Sequence, residues 1–232
     1  MFPIRDSNPS STFPFVTIAL ILVNAAAWFY ELSLSDRALT GVFQGFGIVP
    51  AQYGVGSPVG ALFAILLDPL PFFSSMFLHG GWMHVIGNLW ILWIFGDNVE
   101  DKMGHGRFLC FYLLCGVLAG GAHVAMNPLS PVPTIGASGA ISGVMGAYMM
   151  LFPRAKVLTL IPIFVLLVFR QLPAVVYLFL WFLFQFFQGS ASHAAGVGGG
   201  GVAFWAHIGG FVAGAAGVWF FAKSVPKRRR RR

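Results

Sequence analysis

The sequence predicts an all-α membrane protein built as a bundle of six transmembrane helices. Hydrophobic residues make up 57% of the 232-residue chain and charged residues only 9%, and the mean hydropathy is +0.79. Soluble domains carry about a quarter charged residues, so this composition indicates a chain that is embedded in lipid. The apolar residues are grouped in stretches of the length that a bilayer requires, roughly 20 residues each.

Six apolar stretches are long enough to be spans. They lie at residues 14–33, 72–96, 108–126, 136–152, 172–188 and 202–222. We predict one membrane domain (14–222), preceded by a cytoplasmic N-terminal segment (1–13) and followed by a basic cytoplasmic tail (223–232). An alternative for the first span is a cleaved signal peptide, because Arg5 precedes it and the three alanines at 25–27 resemble a cleavage site.

A further apolar segment is too short to be a span: residues 157–169, V-L-T-L-I-P-I-F-V-L-L-V-F. Its thirteen residues would extend about 20 Å as a helix. It contains Pro162, and Lys156 and Arg170 flank it. A crossing would place these two cations on opposite sides of the membrane, so we predict an interfacial or re-entrant segment.

The basic residues predict the orientation. With the N-terminus in the cytoplasm, Arg37 is the only one of the 14 lysines and arginines that lies outside. Cytoplasmic loops are enriched in these residues, so both termini are predicted to be cytoplasmic, and we expect the plasma membrane. The basic block from Lys227 to Arg232 is placed to contact anionic lipid headgroups, and nucleic acid is not an expected partner.

Polar side chains are rare in the predicted spans, and four of them come to a similar depth below the outer membrane surface. They are His84, Asn88, Ser138 and His207. His84 and Asn88 are four residues apart and therefore share one helix face. Polar groups inside a membrane are costly and usually functional, so this common depth predicts a single site.

The glycines around these residues indicate close helix packing. Ser138 stands in T-I-G-A-S-G-A-I-S-G (134–143) at the start of the fourth span, and His207 stands in W-A-H-I-G-G (205–210) near the start of the sixth. Small residues spaced four apart let two membrane helices approach closely. Packing alone would explain the glycines, and a lone membrane serine usually bonds to its own helix. Small residues on both helices, though, would bring Ser138 within reach of His207.

These residue types are the parts of a serine hydrolase. A serine hydroxyl becomes a nucleophile when a neighbouring base removes its proton, and His207 is the candidate base and later proton donor. Unpaired N–H groups at the start of the fourth helix can stabilise the negative charge on the carbonyl oxygen. His84 and Asn88 can add side-chain donors.

The third member of a catalytic triad is missing. All seven Asp and Glu residues lie at or before Asp101. Asp97 follows Asn88 by nine residues, about 13 Å along a helix, and is too deep to reach His207. The sequence therefore predicts a Ser–His dyad, with Ser142 or water as candidate acceptor for the second N–H of the imidazole.

Other chemistries fit the residues less well. H-G-G-W-M-H (79–84) lacks the glutamate and the spacing of H-E-x-x-H, so neither a zinc site nor another cofactor is expected. A transporter would also contain buried histidines and broken helices. Residues 102–232, however, contain no carboxylate for a proton or cation relay.

The motifs G-A-S-G, H-x-x-x-N and A-H-I-G-G resemble those of the rhomboid intramembrane serine proteases. F-G-D-N-V-E-D-K-M-G-H-G-R-F at 95–108 resembles the same family, and the likeness covers roughly residues 15–222. It implies a six-helix rhomboid bundle that hydrolyses peptide bonds in or near the transmembrane segments of single-span membrane proteins.

The resemblance also implies roles for individual residues. Ser138 would be the nucleophile and His207 the base, while His84 and Asn88 would line the oxyanion hole. His79 matches a position that often orders this region in the family.

Two features depart from the family pattern. The Trp-Arg pair that many relatives carry in the first external loop is absent, and Ser142 stands where some relatives have an aromatic residue that stacks on the histidine. Neither change removes a reacting group. The alternative is a non-catalytic rhomboid-like protein that binds transmembrane helices, but such proteins usually lack the serine or the histidine.

Overall fold

The structure, a computed structural model, describes residues 1–54, 56–164, 166–194 and 202–223. Within these ranges the chain forms nine α-helices and one three-stranded β-sheet. The helices are α1 (Phe15–Leu32), α2 (Asp36–Phe46), α3 (Pro58–Leu67), α4 (Leu70–Ser74), α5 (Trp82–Met103), α6 (His105–Met126), α7 (Ser138–Leu151), α8 (Ala174–Ala194) and α9 (Phe204–Phe221). Of the predicted basic tail at 223–232, all but Lys223 lies outside the described residues.

The helical membrane bundle that the sequence predicts is confirmed. Four of the described helices, α1, α6, α8 and α9, are long and apolar enough to cross a membrane. Helix α3 and the segment Leu70–Phe77 form a fifth candidate, which is broken by a bend of 97°. Helix α7 is apolar but has only 14 residues. The count of six spans therefore stays a prediction.

The start of the second predicted span, placed at residue 72, is wrong. Residues 70–77 form the short helix α4 and a turn of 3-10 helix, and α5 begins only at Trp82. The pair Gly80–Gly81, which directly precedes α5, interrupts this apolar run, because glycine is a poor helix former.

The mostly helical structure also contains a small β-sheet that was not predicted. Its strands are β1 (Phe2–Asp6), β2 (Lys156–Ile163) and β3 (Leu166–Pro173), paired antiparallel in the order β1-β2-β3. The described residues of the segment 157–169, predicted as interfacial or re-entrant, therefore belong mainly to two paired strands; residue 165 lies outside the described residues. Buried Val157 and Thr159 alternate with more exposed neighbours along β2, the period of a strand with one covered face.

The N-terminal segment, predicted only as cytoplasmic, is part of this sheet and packs on α5. The indole Nε1 of Trp90 donates to the carbonyl oxygen of Pro3 at 2.7 Å. Farther along α5, the Asn98 amide donates to the Asp6 carboxylate at 3.3 Å. Strand β1 therefore runs along the second half of α5, on the side of the bundle that β2 and β3 share.

Two helices that the sequence analysis did not anticipate, α2 and α3, lie between the first and second predicted spans. Each begins at a serine whose hydroxyl accepts a hydrogen bond from a backbone N–H of the first turn, from Ala38 to Ser35 and from Gly60 to Ser57. Serine is a preferred residue at this position because it satisfies one of the unpaired N–H groups.

A buried carboxylate joins the start of α1 to the end of α5. Glu100 accepts hydrogen bonds from the backbone N–H groups of Val16 and Thr17 at 2.9 and 2.8 Å and from the Thr17 hydroxyl at 2.7 Å. A negative charge is favourable at a helix N-terminus, where unpaired N–H groups and the positive end of the helix dipole meet. This contact sets the relative height of α1 and α5.

Helices α7 and α9 touch through their backbones. A methyl group at Gly210 would lie 2.0 Å from the carbonyl oxygen of Gly139, and one at Gly214 would lie 2.0 Å from that of Gly143. The predicted approach of these two helices through glycine is confirmed. It brings the first turn of α7 against the first turns of α9, where the candidate site lies.

Candidate active site

Ser138 and His207 are in contact at the start of α7 and α9. The hydroxyl oxygen of Ser138 lies 2.8 Å from Nε2 of His207, within hydrogen-bond distance. Both side chains are partly accessible. The contact follows directly from the glycine packing, because Gly139 and Gly210 lie on the same two helices within one turn of the pair.

The second ring nitrogen of His207 has a partner on a third helix. Nδ1 lies 2.8 Å from the side-chain oxygen of Gln185 on α8, and Gln185 is buried. The Trp181 ring, one turn earlier on α8, lies with its centroid 6.0 Å from that of the imidazole. An amide oxygen can only accept, so Nδ1 carries the proton and Nε2 is free to accept from Ser138.

Gln185 was not predicted as this partner, and Ser142, which the sequence suggested beside water, is not the acceptor. The hydroxyl of Ser142 donates to the backbone oxygen of Ser138 at 2.6 Å and does not serve the histidine. Gln185 carried a usable signal, because it is a polar side chain in the middle of W-F-L-F-Q-F-F, and polar groups in a span are costly unless they have a partner.

His84 and Asn88 lie beside the chain that leads into Ser138. Gly136 has a φ of +121°, a conformation that favours glycine, and a methyl group there would lie 2.4 Å from Nε2 of His84 and 3.7 Å from the amide nitrogen of Asn88. Only a glycine at this position, two residues before Ser138, leaves room for the His84 imidazole against the backbone, and Asn88 is the next nearest group. All four predicted site residues therefore lie in one region.

A second layer of contacts fixes Asn88. Its amide nitrogen lies 3.0 Å from Nε2 of His79, and the backbone N–H of His79 donates to both oxygens of Glu31 at 3.1 and 3.2 Å. Glu31 and His79 are both buried. Glu31 is a residue that sequence analysis did not single out, and it ties the loop before α5 to the end of α1.

The carboxylates of the described chain are not arranged for metal binding or for a triad. No group of three or more His, Cys, Asp or Glu residues in the described ranges is placed to hold a metal ion. Asp97 accepts hydrogen bonds from the backbone and the side chain of Asn98, near the other end of α5. The group that contacts Nδ1 of His207 is an amide and not an acid.

The fold defines a multi-pass helical membrane protein with a polar site inside its bundle. A family model described as the rhomboid domain matches residues 68–224, more than half of the chain. The chain belongs to the rhomboid family.

Individual relatives support the same assignment. The mitochondrial rhomboid protein 1 of Saccharomyces cerevisiae is 32% identical over 165 residues, which are 68% of this chain and 44% of that protein. Rhomboid protease GluP of Bacillus subtilis is 42% identical over 74 residues, 32% of this chain and 14% of that protein. The mitochondrial presenilin-associated rhomboid-like protein of Mus musculus is 25% identical over 161 residues, 64% of this chain and 42% of that protein.

The chain spans less than half the length of each of these three relatives. One of them is named a protease and two are named mitochondrial. Family membership therefore supports a multi-pass membrane protein of a family that includes proteases, while the plasma membrane and the orientation stay predictions.

Proposed function

We propose that the chain is an intramembrane serine endopeptidase in which Ser138 is the nucleophile and His207 the general base. The proposal is carried by the 2.8 Å contact between the Ser138 hydroxyl and Nε2 of His207 inside the bundle of a rhomboid-family protein. A protein that only binds transmembrane helices would not need this contact.

The tautomer of His207 supports its role as base. Gln185 accepts the Nδ1 proton, which leaves the Nε2 lone pair directed at the serine hydroxyl. In the first step Nε2 takes the hydroxyl proton while the serine oxygen attacks the substrate carbonyl carbon. The proton then passes to the leaving amine, and a water molecule repeats the sequence on the acyl-enzyme.

The stretch from Gly136 to Ser138, beside His84 and Asn88, is the candidate oxyanion hole. In the tetrahedral intermediate the negative oxygen would accept hydrogen bonds from the Asn88 amide, from Nε2 of His84 and from the backbone N–H of Ser138. Donors that are already oriented cost no reorganisation during the reaction, and one such donor contributes about 10²- to 10³-fold in rate. His79 and Glu31 are positioning residues here, because they act through Asn88.

The substrates of this site would be single-span membrane proteins cut in or near their transmembrane segments. The reacting pair lies within helices of the bundle, where only a segment that leaves its own helical form can expose a peptide bond. With both termini in the cytoplasm, as the basic residues favour, Ser138 and His207 would open toward the outer side of a plasma membrane.

A fluorophosphonate probe tests the proposal directly, since such probes label an activated serine. Ser138→Ala should abolish probe labelling and cleavage of a transmembrane reporter without loss of folding. The matched control is Ser142→Ala on the same helix, whose hydroxyl bonds only to the backbone of its own helix in this structure. Ser142→Ala should keep most of the activity. Cleavage by Ser138→Ala at the wild-type rate would refute the serine mechanism.

A further inference from the structure

The face of the small sheet that points away from the bundle is cationic at one end and apolar at the other. Residues directly opposite in neighbouring strands share a face. Arg5, Leu158 and Gln171 form one such row, and Phe2, Leu160 and Phe169 form the next. The opposite face, which includes Val157 and Thr159, is buried against the bundle.

A cavity of about 300 Å³ lies at the cationic end of this face. It is lined by Arg5 from β1, Lys156 from β2 and Gln171 from β3, together with the turn of residues 7–9 that follows β1. Arg5 and Lys156 are exposed, and neither has a carboxylate within ion-pair distance in the described part of the chain. Two unpaired cations that meet in one concave site attract an anion.

The one acidic residue in the cavity wall is hydrogen-bonded to the bundle. The carboxylate of Asp6 is turned toward the bundle, where it accepts hydrogen bonds from the hydroxyl of Tyr148 and the amide of Asn98. Burial raises the pKa of the Asp6 carboxyl above its usual value.

Along this face the residues change from cationic to apolar in the direction from the membrane surface to its interior. Asp6 contacts Asn98 and Pro3 contacts Trp90, so β1 follows about 12 Å of α5. The last two turns of α5 carry charged residues, whereas the turns around Trp90 are apolar. The cavity is therefore level with the charged end of the helix, and the apolar row lies toward the membrane interior.

We propose that this face binds an anionic glycerophospholipid, with the phosphate between Arg5 and Lys156 and the acyl chains along Phe2, Leu160 and Phe169. Phe2 is 60% and Phe169 57% exposed, so the apolar row is open to lipid. Its position is opposite to the candidate active site, because Ser138 begins α7 while the sheet follows the end of that helix.

Lipid titration of the delipidated full chain in detergent tests the proposal. Phosphatidylglycerol and phosphatidylcholine with the same acyl chains are added separately, and bound lipid is counted by native mass spectrometry. The double variant Arg5→Gln, Lys156→Gln should weaken phosphatidylglycerol binding about thirty-fold, since each cation near a membrane surface contributes roughly a factor of five. Phosphatidylcholine binding should be weak and equal in all variants.

Two further variants keep the test decisive. Arg170→Gln removes the same charge from the same sheet, but Arg170 pairs with Thr159 and does not line the cavity, so phosphatidylglycerol binding should stay unchanged. Gln171→Glu adds a negative charge to the exposed edge strand and should weaken phosphatidylglycerol binding even if the double variant does not fold.

Three results would overturn the assignment. An equal loss of phosphatidylglycerol binding in Arg170→Gln would show a general effect of charge. Equal affinity for phosphatidylglycerol and phosphatidylcholine would show that the headgroup is not recognised. Displacement of phosphatidylglycerol by excess inorganic phosphate, with phosphate alone giving the same thermal stabilisation, would indicate a site for the free anion and not for a lipid.

Discussion

Gly210→Ala should disrupt the candidate active site without touching a reacting group. The added methyl group would lie 2.0 Å from the carbonyl oxygen of Gly139, whereas ordinary contacts of this kind begin near 3.4 Å. Helices α7 and α9 must therefore separate by about 1.4 Å at this level. Overpacking of this kind typically destabilises a protein by about 1–3 kcal/mol.

The same displacement acts on the reacting pair. His207 lies one turn before Gly210 on α9, and Ser138 is the neighbour of Gly139 on α7. A separation of this size lengthens the 2.8 Å contact between the hydroxyl and Nε2 to about 4 Å, beyond hydrogen-bond distance. A misplacement of about 1 Å in an active site can cost 10²-fold in rate, and we expect a loss of that order.

Two glycines on the same helix provide the controls. A methyl group at Gly217 meets nothing within 4 Å, so Gly217→Ala should keep both stability and activity. Gly214→Ala creates a 2.0 Å overlap with the carbonyl oxygen of Gly143, one turn farther from His207, and should lower stability at least as much but activity less.

The assay combines reporter cleavage and fluorophosphonate labelling with thermal unfolding of the purified proteins in detergent. Labelling of Gly210→Ala at the wild-type rate would refute the reasoning, because the contact would then survive the separation. Equal losses of activity in Gly210→Ala and Gly214→Ala would show that activity follows global stability and not the local distance.

Other substitutions separate the remaining roles. Asn88→Ala should slow reporter cleavage on the order of 10²-fold with little change in KM, since other oxyanion donors remain. An unchanged rate would show that Asn88 only packs in the bundle. Gln185→Leu should lower kcat about tenfold, because the buried Nδ1–H of the histidine loses its acceptor, and Gln185→Glu should restore activity by accepting the same proton. Asp97→Asn should leave most of the turnover of a folded variant; a loss near 10⁴-fold, as for a triad aspartate, would show that the carboxylate reaches the site.

Much of the molecule could be predicted from the sequence because the relevant physics is local. Because burying charge in lipid is costly, the composition alone indicated a membrane bundle. Five of the six predicted spans agree with described helices to within a few residues, except that α8 extends six residues beyond the predicted end at 188. Glycine spacing indicated where α7 and α9 approach each other. The chemical requirements of a serine nucleophile singled out Ser138 and His207 as candidates before their contact was known.

The parts that only the tertiary structure decided depend on contacts between segments distant in the chain. The apolar residues of 157–169 do not by themselves indicate a sheet: β2 and β3 pair with each other, and β1, more than 150 residues earlier, adds the third strand. Likewise, Gln185 could be seen as a polar residue in a span, but only the crossing of α8 and α9 makes it the acceptor for His207. Glu31 reaches His79 across 48 positions of sequence. Such pairings depend on how complete helices pack together, which the residue pattern of a single helix does not contain.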